Sequence, residues 1–121
     1  PAPALSAAQK FRLTTASGHV VRAVQALHAA QINGANKAEI NDRMVEEQSA
    51  RTRYNRRLMH RGFEPGDTVR IIAQGPFYGT ECVITEIMTD RFRVEAGGDP
   101  FQTCLPFPTE IEMVRPHSQG E

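Results

Sequence analysis

The chain has 121 residues, of which 40% are hydrophobic and 23% are charged. These proportions are typical of one globular domain, or of one small domain with an appendage. No apolar run approaches the roughly 18 residues needed to cross a bilayer, so no membrane span is predicted. The first residues lack the basic region and the continuous apolar stretch of a secretion signal. We therefore expect an intracellular, cytoplasmic protein.

Charge is divided unevenly along the chain, although the total is zero. Residues 1–61 contain ten Lys/Arg and four Asp/Glu, a net charge of +6, whereas residues 62–121 contain four and ten, a net charge of −6. Such a division indicates separate partners for the two parts. The alternative is that the two oppositely charged parts simply attract each other.

Residues 1–61 are predicted to form a helical segment. Its first part mixes Ala, Leu and Phe with polar residues and is predicted to be a helix over 4–16. Ser17-Gly18 is predicted to interrupt it, and Ser17 can cap the Ala-rich helix that follows over 19–32. Asn33-Gly34 then ends this helix, as a left-handed residue pair does.

A longer helix is predicted over 37–61. Asn36 is its expected N-cap, with Glu39 three residues later, and Gly62 is its expected terminator. Its length would be about 37 Å, and the short connection before it favours an antiparallel helical hairpin. Its apolar residues form a stripe with a polar middle: Ile40, Met44, Val45, Tyr54, Leu58 and Met59.

Arginines are concentrated at the end of this helix. Acidic residues lie early and arginines late, an order that complements the helix macrodipole. The number of arginines nevertheless exceeds what the dipole requires, so we interpret them as a candidate phosphate-binding surface together with the arginine of the first strand. The candidate nucleic-acid-binding residues are Arg51, Arg53, Arg56, Arg57, Arg61 and Arg70.

The periodicity changes from helical to alternating after Phe63. Short alternating segments separated by turn residues predict five strands between 63 and 114, with Phe92 and Val94 facing inward and a turn over 96–100. We therefore predict an α+β protein in which the helical hairpin precedes a small five-stranded SH3-like β-barrel. Residues 115–121 are predicted to be a disordered tail.

One motif connects this barrel to a known family. Pro65-Gly66-Asp67 launches a strand, the loop Gly75-Pro76-Phe77-Tyr78-Gly79 follows, and a second strand runs from 83 to 87. This arrangement resembles the KOW motif of NusG-type transcription elongation factors and certain ribosomal proteins, with Cys82 in place of a glycine. The resemblance implies an SH3-like barrel and association with transcription or translation.

Two further resemblances concern what such a barrel binds. The basic helix end that leads into the barrel is similar to the lead-in of the C-terminal DNA-binding barrel of retroelement integrases, although no catalytic core is present. Small accessory subunits of photosynthetic and respiratory complexes also use such barrels. Acidic residues at outward strand positions favour docking to a protein over docking to phosphate; these are Glu81, Glu86, Glu110 and Glu112.

The residue types that carry catalysis are present but scattered. The four histidines form no metal-binding spacing, and Cys82 and Cys104 belong to no C-x-x-C pair, so they are expected to be small apolar residues of the barrel wall. No phosphate-binding glycine loop occurs. The chain is therefore not predicted to be an enzyme, and no cofactor, metal or small-molecule substrate is expected.

Two functions remain open from the sequence. The first is a non-catalytic adaptor subunit of a larger assembly, which docks on a partner protein through the hairpin and the barrel, with Phe77 and Tyr78 as anchors. The alternative is a nucleic-acid-binding module that uses the basic helix end, with the same two aromatic residues able to stack on a base.

Overall fold

The computed structural model describes residues 2–96 and 102–117. Two long helices come first, α1 over Ala7–Ile32 and α2 over Lys37–Met59. They pack against each other as an antiparallel hairpin, and a five-stranded antiparallel sheet follows them. The predicted α+β class with an N-terminal helical hairpin is confirmed.

Helix α1 is continuous, so the predicted break at Ser17-Gly18 is wrong. The helix begins after Ser6, whose hydroxyl accepts a hydrogen bond from the backbone N–H of Gln9, while the Gln9 side chain accepts one from the Ser6 N–H. A glycine within a helix costs about 1 kcal/mol relative to alanine. Ala16 and Ala30 lie on either side of Gly18 and are both buried. Packing along the whole length of α2 therefore outweighs this local preference.

The turn between the helices forms at the predicted residues, but only Gly34 of the pair Asn33-Gly34 is left-handed, since Asn33 has a φ of −81°. Asn33 is the C-cap of α1, Gly34 has a φ of 70°, and the Asn36 side chain accepts a hydrogen bond from the Glu39 N–H at 2.9 Å. Helix α2 ends at Met59, two residues before the predicted end at 61. The chain leaves it through two left-handed residues, Arg61 and Gly62, with φ of 54° and 76°.

The seam between the two helices is made of small residues, with buried Ala16 and Ala30 on α1 and buried Ala50 on α2. Small side chains let the helices approach closely and leave larger ones at the sides. The apolar stripe of α2 is expected to pair with the neighbouring helix at both ends, but most of its members point away from the seam, so this expectation is wrong. Four of them are at least half exposed: Met44, Val45, Leu58 and Met59.

The sheet is built from five strands in the order β4-β3-β2-β1-β5, all antiparallel. Within the described ranges it is open, with β4 and β5 at its two edges. A short 3₁₀ helix over Pro108–Glu110 precedes the last strand. The strands are β1 Thr68–Ile71, β2 Glu81–Ile87, β3 Phe92–Ala96, β4 Thr103–Cys104 and β5 Ile111–Arg115.

The core lies on one side of this sheet. Alternation along the strands buries Val69, Ile84 and Ile111 together with Phe92 and Val94, which confirms the predicted inward direction of the last two. Most of the turn predicted over 96–100, and residues 118–121 of the predicted tail, lie outside the described residues.

Among the described residues, the hairpin contacts the sheet near the end that lies away from its turn. Side chains from the start of α1 and the end of α2 reach the sheet, as with the buried ring of His60, which lies 5.5 Å from the ring of Phe92 and within 3.0 Å of the Met88 carbonyl oxygen. From Arg12 to Ile32 the hairpin continues for about 30 Å. Most of the hairpin surface is therefore not covered by the described strands.

Candidate binding surfaces

A buried ion pair joins the hairpin to the sheet. The guanidinium of Arg12 on α1 donates two hydrogen bonds to the carboxylate of Asp67, at 2.7 and 3.0 Å, and both side chains are fully buried. Arg12 also donates to the Gly62 carbonyl oxygen at 3.0 Å, and its Nε lies 3.5 Å from a Glu64 carboxylate oxygen. The planar fork of arginine suits this bidentate geometry.

Asp67 has further donors around it. Its carboxylate accepts from the backbone N–H groups of Glu64 at 2.9 Å and of His117 at 3.0 Å, and it lies 3.1 Å from the His117 ring nitrogen. Burial alone would raise the pKa of Asp67, but the hydrogen bonds from Arg12, Glu64 and His117 outweigh it and leave this pKa lowered. Asp67 is therefore an ionised residue that ties α1, the turn before β1 and the chain after β5 together.

This joint was missed in the sequence. The local pattern predicts only a turn at Asp67, and no local pattern distinguishes Arg12 from the other arginines. One signal was present, because Ala16, Ala23 and Ala30 repeat every seven residues and mark the seam of α1. Extending that repeat towards the N-terminus places Gln9 and Arg12 in the seam, where a buried arginine requires a carboxylate.

Three of the candidate nucleic-acid-binding arginines on α2 and the turn after it have partners within the chain. Arg51 is paired with Glu47 at 2.6 Å, Arg57 with Glu64 at 3.3 Å, and Arg61 with the Pro3 carbonyl oxygen. The guanidinium of Arg57 also donates to the Arg12 carbonyl oxygen, so it helps to hold the two helices together.

Arg70 lies on the outer face of the sheet between two carboxylates. It is directly opposite Glu81 of β2 and Glu112 of β5, and its guanidinium lies 3.3 and 2.9 Å from them. Hydrogen bonds to Glu112 and Glu81 raise the pKa of Arg70. The three side chains form a cross-strand row with a net charge of −1, which disfavours an approaching phosphate.

The other two candidate arginines border grooves of the surface. Arg53 lines a groove of about 460 Å³ on one face of the hairpin, together with His19, Arg22 and Glu46. Arg56 lines a different cleft, between the end of α2 and the end of β2. In the part of the chain that the structure describes, neither Arg53 nor Arg56 forms an ion pair. The six candidates are thus not brought together into one surface.

Phe77 and Tyr78 lie on an exposed loop after β1, with 42% and 63% of their surface accessible. Gly75 and Gly79 flank the pair at φ of 151° and 81°, and the Gly79 N–H donates to the Ile71 carbonyl oxygen at 2.7 Å. The loop is therefore anchored to the strand end, and its aromatic rings are held out towards solvent.

A groove of about 210 Å³ runs beside this loop, lined by Phe77 and by the chain that follows β4, including Leu105 and Glu110. Leu105 is 46% exposed. We call Phe77, Tyr78 and Leu105 the aromatic patch. Large exposed apolar side chains that border a groove are typical of sites where another molecule binds.

Within residues 2–96 and 102–117, no three His, Cys, Asp or Glu side chains are placed to hold a metal ion. Cys82 is buried in the core and Cys104 packs against this core. Both cysteines are free thiols. Burial raises the pKa of each thiol, which keeps it protonated and weakens it as a nucleophile.

Neither helix of the described chain has a stretch long and apolar enough to cross a membrane. A scan against protein-family models, a search of curated proteins and a search of solved structures each returned no match.

Proposed function

We propose that this chain is a non-catalytic adaptor that binds a partner protein through the aromatic patch. The single observation that carries the proposal is the anchored loop that holds Phe77 and Tyr78 out of the fold beside a groove. Aromatic residues in such positions are the residue types that contribute most of the binding energy at protein interfaces.

The occupant that fits the groove best is an extended segment of the partner with an apolar side chain flanked by Lys or Arg. A volume of about 210 Å³ is smaller than the pockets that enclose small-molecule ligands, which measure about 300–1,000 Å³, but it can take an apolar side chain. Glu110 lines the groove, and residues 62–121 carry a net charge of −6. Basic residues beside the apolar anchor would therefore be attracted to this surface.

We further propose that the sheet is an SH3-like barrel of the type that the KOW resemblance implies. Two observations support this proposal. The last strand pairs with the first, and the groove beside the aromatic patch is lined by Ile71 of β1 as well as Cys104 of β4, although two strands separate β1 from β4 in the sheet. The sheet is therefore strongly curled.

Selection from a random peptide library displayed on phage tests the adaptor function. We expect enrichment of peptides that combine an apolar residue with Lys or Arg, and we expect Phe77→Ala to weaken the selected peptides by about tenfold or more. Phe11→Ala is the matched control, because Phe11 is an exposed aromatic residue on α1. Absence of enrichment, or equal losses in the two variants, would contradict the proposal.

Nucleic-acid binding is the second candidate function, and the groove lined by His19, Arg22 and Arg53 is the observation that favours it. Gel-shift titration with mixed-sequence DNA and RNA at low salt tests it. This function predicts binding that weakens steeply with salt and that Arg53→Gln weakens more than Arg51→Gln, because Arg51 is already paired with Glu47. Binding that is absent at low salt would exclude it.

A further inference from the structure

One side of α2 carries a series of six residues in which two apolar residues, two charged residues and two apolar residues follow one another. The order of apolar and charged positions is therefore the same in both chain directions. Met44 and Leu58 in this series are 51% and 50% exposed, although both are large and apolar. The intervals between successive members are 4, 3, 4, 3 and 4 residues, which keeps them on one stripe of a helix. The series is Ile40, Met44, Glu47, Arg51, Tyr54 and Leu58.

The pattern is symmetric about Ser49. Apolar residues occupy the two outer positions at each end, and the two central positions hold opposite charges, Glu47 and Arg51, which lie 2.6 Å apart in the single chain. A helix with this pattern complements an antiparallel copy of itself. We propose that two copies of this chain associate through this side of the hairpin, with their α2 helices antiparallel and related by a two-fold axis near Ser49.

The register follows from the symmetry. Ile40 of one copy lies against Leu58 of the second, and Met44 lies against Tyr54. At the centre, Glu47 of each copy faces Arg51 of the other, so both charges gain a second partner of opposite sign. A polar layer of this kind within an apolar seam fixes the register of paired helices.

Helix α1 supplies an independent observation. The groove that contains His19 is lined by 19–26 of α1 and by 45–53 of α2, which places Arg22 at about the level of Ser49. Val20 and Val24 are two residues before and after Arg22, on the opposite side of the helix from it. The same two-fold axis therefore brings Val20 of one copy to Val24 of the second, and the apolar pairing extends across both helices.

The two faces of the hairpin differ in the way this association requires. Apart from the Glu47–Arg51 ion pair, the groove on the face with the α2 series is lined by uncharged residues, namely Leu27, Asn41, Met44, Val45 and Gln48. The groove on the opposite face is lined by His19, Arg22, Glu46 and Arg53 among others. Two helices about 10 Å wide and about 30 Å long give a contact of about 600 Å² per copy, near the lower limit for a specific interface. This inference does not depend on the aromatic patch.

Light scattering coupled to size-exclusion chromatography tests the association on the full chain. We expect a mass twice that of the 13.4 kDa chain, and we expect Met44→Glu to weaken association by at least about tenfold. Val21→Glu is the matched control, since Val21 is 51% exposed on α1 and lines neither of the two hairpin grooves. A monomer for the unmodified protein, or dissociation by both variants alike, would overturn the proposal.

Two charge variants test the central layer. Glu47→Arg places four arginines together and Arg51→Glu places four glutamates together, so each variant should be monomeric on its own. Their equimolar mixture should form a heterodimer, because every central contact then joins opposite charges. Circular dichroism of each variant confirms that it is folded, and a mixture of folded variants that stays monomeric would contradict the proposed layer.

Cysteine cross-linking tests the antiparallel direction. The double variant Met44→Cys/Tyr54→Cys should form a covalent dimer on mild oxidation, with the unmodified protein as the background control for Cys82 and Cys104. Met44→Cys alone should not cross-link, because its two thiols lie about 15 Å apart along the helices. Cross-linking by the single variant would indicate a parallel pairing and overturn the proposed arrangement.

Discussion

Replacing Arg12 by leucine removes the positive half of the buried joint and leaves the Asp67 carboxylate without its strongest partner. Both side chains are fully buried, and the two hydrogen bonds between them measure 2.7 and 3.0 Å. Removal of one partner from a buried ion pair costs about 3–5 kcal/mol, because the remaining charge is uncompensated. This is a large share of the roughly 5–15 kcal/mol by which a domain is stable.

The destabilisation should depend on pH with a definite sign. The pKa of Asp67 is lowered in the folded protein, so its contribution is complete above the unfolded value of about 3.9 and is lost as pH falls through the folded value. In Arg12→Leu the carboxylate of Asp67 keeps its partners on Glu64 and His117 but loses the two hydrogen bonds from Arg12. We expect burial then to outweigh the remaining hydrogen bonds and to raise the pKa of Asp67. Its protonation then stabilises the variant as pH falls, and the difference between the two proteins becomes smaller.

Urea denaturation followed by circular dichroism at pH 7 and near pH 4 measures both effects. Arg22→Leu is the control, since Arg22 is an exposed arginine on the same helix and should change the free energy of unfolding by less than about 0.5 kcal/mol. The double variant Arg12→Leu/Asp67→Asn should recover part of the loss, because no buried charge remains. A loss below about 1 kcal/mol, or a loss that is independent of pH, would refute the buried-charge argument.

Two backbone positions give further predictions. Gly62→Ala should lower the free energy of unfolding by more than Gly79→Ala in urea denaturation. Both glycines have positive φ, which costs an alanine about 1–2 kcal/mol, but only a Cβ at residue 62 meets the Gln9 carbonyl oxygen, at 2.9 Å. Equal losses would contradict the close approach of α1 to this turn. Asn36→Ala should cost about 1 kcal/mol in the same assay, because it removes the cap on the Glu39 N–H, and Asn36→Ser should retain most of that stability.

Local signals in the sequence predict the position of the turn between the helices and the inward direction of strand residues. The hairpin turn depends on Asn33, Gly34 and Asn36, whose side-chain and backbone preferences act within a few residues, and the structure follows them. The inward direction of Phe92 and Val94 likewise follows from strict alternation along one strand. These are cases in which the deciding interactions lie close together in the chain.

Interactions between distant residues account for what the sequence did not indicate. The preference of Gly18 against helix is overruled by packing along α2, and the direction of Met44 and Leu58 is decided by the alanines that form the seam. Arg12 and Asp67 are 55 residues apart, so neither local pattern reveals their pairing. The arginines of α2 were grouped by sequence proximity, but a helix distributes neighbouring residues around its axis, and the structure separates them accordingly.

The most direct test of the adaptor function is an NMR titration of isotope-labelled protein with a peptide selected from the library. The amide signals of Phe77, Tyr78 and Leu105 should shift together as the peptide is added, while those around Arg22 and Arg53 on the hairpin should stay in place. Shifts confined to the hairpin, with the signals of the aromatic patch unchanged, would contradict the proposal that this patch is where the partner binds.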